Sequence, residues 1–365
     1  MKVLISTILQ DLHADAVKWA LQKYYETECK IWVNSDIPKH QTLSISNLHQ
    51  NELEVFSNGA NNVNFKDFDV IWSRRFYVQK ISKEYEETDR HIAYKNLEET
   101  LNGALSVANG NAFWINNHTS AMNAENKISQ LQKAQQLGFH LPKTLISNDA
   151  DEVLSFIESQ NDKVIYKPLA YMDWRIKDYA LKVFSSLVSS ADFTSKEDIQ
   201  SCPAIYQSYE NKKLELRVIV MGSTCQAVAI DSQSHESSQI DWRLGDLEDK
   251  RPELSTFTLP DDMVQKCISL THSLGLAYSA IDLILKPDGT FIFLEINPMG
   301  QFLWIEESLP EMRLLDIFCQ FVLSASLQFK WDGSNSSATL EQYYQTEDYR
   351  SLMEDSHALH AHLET

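Results

Sequence analysis

No apolar run in this chain of 365 residues approaches the roughly eighteen that a membrane-crossing helix needs, so no membrane-embedded function is expected. The amino-terminal MKVLISTILQDLHAD turns acidic before any cleavage-like site, and reads as a buried first strand rather than a secretion signal. Paired cysteines are lacking too. Cys29, Cys202, Cys225, Cys267 and Cys319 have neither a disulfide-type nor a metal-type spacing, which argues against zinc and fits reduced thiols in a cytoplasm. Cations are scarce: 32 Lys and Arg against 51 Asp and Glu give a net charge of −19, so neither nucleic acid nor an anionic membrane is an expected partner. In so acidic a protein, single Lys and Arg residues beside polar motifs become informative, because any anionic ligand needs local cations. No internal repeat is visible.

What is present is a 43% hydrophobic chain long enough for two or three lobes. Apolar residues 2–8, a helical pattern over 13–25 and a second apolar run over 29–34 predict a βαβ beginning. FDVIWSRRFYV (68–78) reads as a strand ending in two arginines, and 82–108 as a helix. The Asn-rich NGNAFWINNHTS (109–120) carries turn residues and marks a boundary. Helical periodicity over 121–137 ends at Gly138; a strand within 141–147, a helix started by acidic residues and a strand within 163–169 follow. LELRVIVMG (214–222) and TCQAVAID (224–231) form a hairpin with Gly222 at the turn, and 261–275 a helix closed by Gly275. Residues 331–365 read as a polar, Ser- and acid-rich tail without assigned structure.

The densest chemistry lies in IDLILKPDGTFIFLEINPMGQFLWIE (281–306), two apolar strands flanking a Pro-Asp-Gly turn. Alternate side chains of a strand share a face, so Glu295 and Asn297 point the same way. Asp282 joins them if the connecting loop holds an even number of residues, opposite Phe293 or Glu295. Two carboxylates and an amide suit magnesium, which takes hard oxygen ligands and leaves positions for water and nucleotide phosphate. The plain alternative is a hairpin with a polar solvent face. Pro298, Met299 and Gly300 break the strand directly after Asn297, placing the ligands at a strand end.

Upstream, Lys127 sits early in a helix and Lys167 ends an apolar strand, so both can project into a cleft between lobes. In YQSYENKKLELRV (206–218), Glu215 and Arg217 point one way and Leu214, Leu216 and Val218 the other. A carboxylate there can accept from ribose hydroxyls, and Arg217 can fork onto phosphate as lysine cannot. Arg243, in DWR (241–243), is a candidate for stabilising a negatively charged transition state.

In this order the pieces resemble the ATP-grasp superfamily of carboxylate ligases, and more narrowly the microviridin-type graspetide synthetases, with the RimK-type amino-acid ligases as cousins. The match spans most of residues 1–330, and its most specific parts are AENKISQLQKAQQLGFHLPKTLISN (124–148), VIYKPL (164–169), YQSYENKKLELRV and the 280–306 segment. Gly300, Gln301, Trp304 and Glu306, with the WSRRF of the first lobe, look like the graspetide subgroup. The resemblance implies an α/β fold of the α+β ATP-grasp kind: an N-terminal pre-ATP-grasp lobe (1–120), a central subdomain (121–205), a C-terminal subdomain (206–330) holding magnesium, and the tail. ATP would lie between the sheets of the two subdomains.

Carried over by residue, the resemblance implies phosphate contacts for Lys127 and Lys167, an adenine hinge at Gln207 and Tyr209 acting largely through backbone, and ribose at Glu215. Asp282, Glu295 and Asn297 would hold Mg2+, and Arg217 and Arg243 would face the phosphates and an acyl phosphate. It further implies a precursor-peptide partner with leader and core, whose Asp or Glu side chains are joined to Thr, Ser or Lys side chains. A homodimer is compatible with it. An amino-acid or small-peptide ligase and a noncatalytic ATP-binding regulator are the alternatives. One departure is plain: LAYMDWRIKDYALKV (169–183) has no glycine where many relatives carry a glycine-rich phosphate lid; backbone amides there can still contact phosphate, and Arg175 or Lys177 could substitute with side-chain charge.

Overall fold

The computed structural model describes residues 1–48, 53–59, 62–82, 84–169, 173–176, 179–182, 184–244, 251–334 and 338–354; for 173–176 and 179–182 only the backbone is described. The expected charge at Lys177 lies outside these residues, as does the side chain of Arg175.

The chain begins as its hydrophobic pattern predicts. Strand β1 (Lys2–Thr7) leads through helix α1 (Leu12–Tyr25), N-capped by Asp11, to β2 (Glu28–Val33). An excursion follows, the small antiparallel sheet of β3 (Thr42–Ser46), β4 (Glu54–Asn58) and β5 (Val63–Asn64), which the sequence did not announce. After β6 (Val70–Ser73) and α2 (Glu87–Val107) comes β7 (Phe113–Ile115), inside the Asn-rich stretch read as a boundary. These strands make a parallel four-stranded sheet in the order β2-β1-β6-β7.

The expected single helix over 121–137 is two, α3 (His118–Ala124) and α4 (Lys127–Gln136). Asn126 interrupts them because its side chain caps α4, accepting from Ser129 N at 3.0 Å. The central sheet is antiparallel, in the order β12-β9-β13-β8, from β8 (Thr144–Ser147), β9 (Val164–Lys167), β12 (Ser186–Val188) and β13 (Ala204–Ser208). Between β9 and β12, where a lid would lie, β10 (Asp173–Ile176) and β11 (Tyr179–Lys182) pair as an antiparallel ribbon.

The last sheet is β16-β15-β14-β17-β18, from β14 (Leu214–Met221), β15 (Thr224–Ile230), β16 (Leu254–Phe257), β17 (Tyr278–Leu285) and β18 (Phe291–Asn297). Gly222 turns β14 into β15 with φ +58°, as the hairpin reading required. One face of this sheet, through Leu216, Val218, Ile281 and Leu283, packs on the helix Asp261–Ser273. The other is divided along its length. Ile219, Met221, Tyr278 and Ala280 enter a core shared with α1 and the helix Leu314–Ser324. Further along the same strands, Glu215, Arg217, Asp282 and Ile284 face a cleft. That division anchors one half of the sheet to the first lobe and leaves the other half for a ligand.

The tail is not structureless. Ala338, Leu340 and Tyr343 are buried in the same core as α1, and Tyr343 packs on Trp19 at 5.5 Å. Spaced apolar residues inside a polar stretch are enough when a complementary surface lies elsewhere in the chain. No helix among the described residues is long and apolar enough to cross a membrane.

Near this junction burial pushes Asp15 up to about 6, with Lys18 opposing. A carboxyl whose folded pKa exceeds its unfolded value adds stability below about pH 4, and loses it as pH rises through 6. Asp15→Asn should therefore stabilise the protein at pH 7.5 by about 2 kcal/mol, with the gain vanishing toward pH 4. Urea midpoints at both pH values check this; a pH-independent difference would exclude titration of Asp15 as the cause.

Candidate functional site

The β17–β18 hairpin shows how the carboxylates come to share a face. Leu285 pairs with Phe291 and Leu283 with Phe293, so five residues, an odd number, lie between the first paired ends. Continued unbroken, that register would set Asp282 opposite Leu294 and turn Glu295 to the helix side. The register shifts instead between Asp282 and Leu283, and Asp282 pairs with Glu295. A β-bulge at Leu294 thus replaces the even loop as the device that aligns the two carboxylates. Both Leu294 and Glu295 line the cleft. Asn297 follows on the same face opposite Ala280, with its Oδ1 accepting from Met299 N at 2.8 Å. Gly300 packs so tightly on this face that a Cβ there would stand 2.3 Å from that of Ala280.

Around the pair the structure gathers cations. Lys127 opens α4 and reaches Glu295 with an Nζ–Oε2 distance of 2.6 Å. Burial alone would raise Glu295, but the charge and hydrogen bond of Lys127 hold it down to about 2. Asp282 goes the other way: burial pushes it up to about 7, with Glu295 adding to the rise and Arg217 opposing it. Arg217 lies directly across from Asp282, with Nε 3.3 Å from Oδ1. Lys167 ends β9 in the cleft wall and has no hydrogen-bond or ion-pair partner among the described residues; burial lowers its pKa against the pull of Glu295. Arg243 holds Asp241 with two bonds, at 2.8 and 2.6 Å.

The other end of the cleft is different. Gln207 and Tyr209 line it, but Gln207 is buried with its amide donating to Thr144, and Tyr209 N donates to Lys163 O at 3.3 Å. Ile165, Ile240, Ile284 and Leu294 add apolar surface, enough for a flat base to stack on. Glu215, expected to hold ribose, is engaged by Lys212, Nζ to Oε1 at 2.8 Å. Lys212 also donates to Ile240 O at 3.0 Å, and so ties β14 to the loop that carries Arg243. Sequence reading missed Lys212 and Asp241; for Lys212, a lysine just before a cleft strand and three residues from its carboxylate was the available signal.

Eight of the ten predicted residues therefore line one cleft: Lys167, Gln207, Tyr209, Glu215, Arg217, Arg243, Asp282 and Glu295. Lys127 is bonded to that set, and Asn297 sits at its edge. Glu306 belongs elsewhere. Buried, it accepts from Leu315 N at 2.6 Å and Leu340 N at 2.9 Å, capping two helix starts. In the GQFLWIE run only Trp304 approaches the cleft, stacked on Trp242 at 5.0 Å.

The residues fit a magnesium nucleotide. Nε and Nη1 of Arg217 are buried without a hydrogen-bond acceptor, and an anionic oxygen is the kind of group that would satisfy them. Among the described residues no three His, Cys, Asp or Glu side chains gather to hold a metal unaided. Two carboxylates and an amide match an ion that completes its shell with phosphate and water.

Residues 2–122 match the family described as the MvdD pre-ATP grasp domain. No curated protein sequence matches the chain. Among solved structures, the macrocyclase MdnC of Microcystis aeruginosa, bound with precursor peptide MdnA, superposes with a TM-score of 0.77 at 25% identity, covering 89% of this chain and all of MdnC. A RiPP-associated ATP-grasp ligase of Chryseobacterium gregarium, in complex with ADP and a leader and core peptide, gives 0.76 at 24% identity over 88% of this chain and 97% of its own. Macrocyclase MdnB of Microcystis aeruginosa gives 0.73 at 22% identity, over 88% and 99%. Residues 2–122 thus match an MvdD-type pre-ATP-grasp domain, and the chain shares the fold of these peptide macrocyclases.

Proposed function

We propose that this protein is an ATP-dependent ligase that closes rings in a ribosomally made precursor peptide, using ATP and Mg2+. A peptide Asp or Glu carboxylate attacks the γ-phosphorus, ADP leaves, and the acyl phosphate is attacked by a Thr or Ser hydroxyl or a Lys amine, with phosphate as leaving group. The observation that carries this reading is the Asp282–Glu295 pair set among Lys127, Lys167, Arg217 and Arg243, with Arg217 presenting unpaired buried donors.

Magnesium, held by Asp282 and Glu295 with Asn297 at the edge, would supply Lewis-acid neutralisation of phosphate charge. The chain's own cations do the rest. Lys127 and Lys167 bracket Glu295 and can bind phosphate oxygens, while Arg217 offers a forked donor pair where charge builds up on the transferred group. Ionised Glu295 pairs directly with Lys127 and adds its field at Lys167. No covalent enzyme nucleophile is required, since proximity within one bound peptide makes ring closure effectively unimolecular.

The test is mass spectrometry after incubation with ATP, Mg2+ and a candidate precursor peptide rich in Thr and acidic residues. Each ring should remove the mass of one water and release one ADP. ADP release with free amino acids, and an unchanged peptide mass, would instead identify a RimK-type ligase. Nucleotide binding without ADP under either condition would leave a noncatalytic binder.

A further inference from the structure

Two buried side-chain amides outside the cleft act on the strand that carries the carboxylate and amide of the site. Gln130 lies in α4 three residues after Lys127 and is 1% exposed. Its Nε2 donates to Ile296 O at 2.8 Å, and its Oε1 accepts from Ile296 N at 3.2 Å. These are the two bonds a neighbouring strand would make to that residue. The second Nε2 hydrogen goes to Ala124 O at 2.7 Å. Ile296 is the residue between Glu295 and Asn297.

Asn116, also 1% exposed, works at the next position. Its Oδ1 accepts from Ala277 N at 2.7 Å and Tyr278 N at 2.9 Å, and its Nδ2 donates to Tyr278 O at 2.9 Å and Pro298 O at 2.8 Å. All four of its bonds fasten the start of β17 to the residue after Asn297. The need is clear from the sheet. β18 is an edge strand, and the bulge at Leu294 breaks its ladder to β17 just where the ligands begin. A bulged edge segment with unpaired backbone would fray.

We propose that Gln130 and Asn116 are positioning residues that hold the Glu295–Asn297 backbone in register for magnesium. This rests on the reading of the cleft as a magnesium–nucleotide site. Neither side chain lines the cleft; Gln130 takes the place of a neighbouring strand, and Asn116 ties the start of β17 to Pro298. The same short segment, residues 116–130, also delivers Lys127, so one connection between the first lobe and the central sheet sets both the charge partner of Glu295 and its backbone.

The test measures affinity for a fluorescent ADP analogue with Mg2+ and with EDTA. In the unaltered protein Mg2+ tightens binding. In Gln130→Met the Mg2+-dependent tightening should fall about tenfold, while affinity in EDTA changes less than about twofold. Gln130→Glu keeps the shape and the acceptor for Ile296 N, so it should lie between the two, and it carries the test if Gln130→Met does not fold. Asn116→Asp, which sets oxygens against Tyr278 O and Pro298 O, should lose Mg2+ dependence in the same way. A lowered melting temperature with the Mg2+ ratio intact would overturn the proposal, because a purely structural role leaves that ratio unmoved. Unaltered protein whose ADP affinity ignores Mg2+ would overturn the magnesium reading itself.

Discussion

Glu295→Gln is expected to lower ATP-dependent ADP release on the order of 10³-fold, the equivalent of several kcal/mol of lost charge stabilisation. The amide keeps the shape of the side chain and can still meet Lys127, but it carries no charge for a divalent cation. Stability should barely respond. Lys127 holds ionised Glu295 down to about 2, which favours the folded state at neutral pH. The same negative charge helps burial push Asp282 up to about 7, which disfavours it. Removing the charge forfeits the first contribution and relieves part of the second, so the net change is smaller than the loss of the Lys127 pairing alone. The melting temperature should stay within a few degrees while turnover disappears. A large thermal loss with activity retained would make Glu295 a structural partner of Lys127 and nothing more.

Much of this site was legible because its parts follow local rules. The alternation of LELRV put Glu215 and Arg217 on one face and Leu216 and Val218 in the core, and the strands fold that way. The Asp282–Glu295 alignment was legible only as a condition, and the condition named was not the one realised. Periodicity cannot announce a bulge, since the extra residue, Leu294, is as apolar as the Phe291–Phe293 run before it and the gain lies in a register fixed by β17. Asn116 was hidden for a related reason. Within NGNAFWINNHTS it reads as a turn former, but all its bonds go to residues at least 161 positions away. Gln130 looked like one more polar residue on a helix surface, and its role exists only beside an edge strand. Lys212 was passed over because NKK resembles a solvated run until Glu215 and Ile240 are placed around it. The tail misled in the opposite sense, its Ser and acid content masking Leu340 and Tyr343. For Asn116, Gln130 and the tail the deciding partner lies far off in sequence, where composition and period carry no information.

Arg217→Met is expected to separate activity from stability most sharply. In the folded protein Nε and Nη1 of Arg217 are buried without hydrogen-bond acceptors, and the 3.3 Å approach to Asp282 is an ion pair rather than a well-aligned hydrogen bond. Buried unpaired donors are an energetic burden, and methionine of similar length removes it. Asp282, already raised to about 7 by burial, can meet the loss of its cation by taking up a proton. The variant should therefore melt at or slightly above the temperature of the unaltered protein. Its ADP release should nevertheless fall on the order of 10²- to 10³-fold, because in the proposed mechanism these donors engage the transferred phosphoryl group. Arg217→Lys provides the sharper comparison. It keeps one positive charge and loses the planar fork, so if geometry matters beyond charge it should recover less than a tenth of the normal rate. Full activity in Arg217→Lys would reduce Arg217 to a point charge. A drop of many degrees in Arg217→Met would mean that its pairing with Asp282 holds the sheet together, and that the unpaired donors do not mark the phosphate.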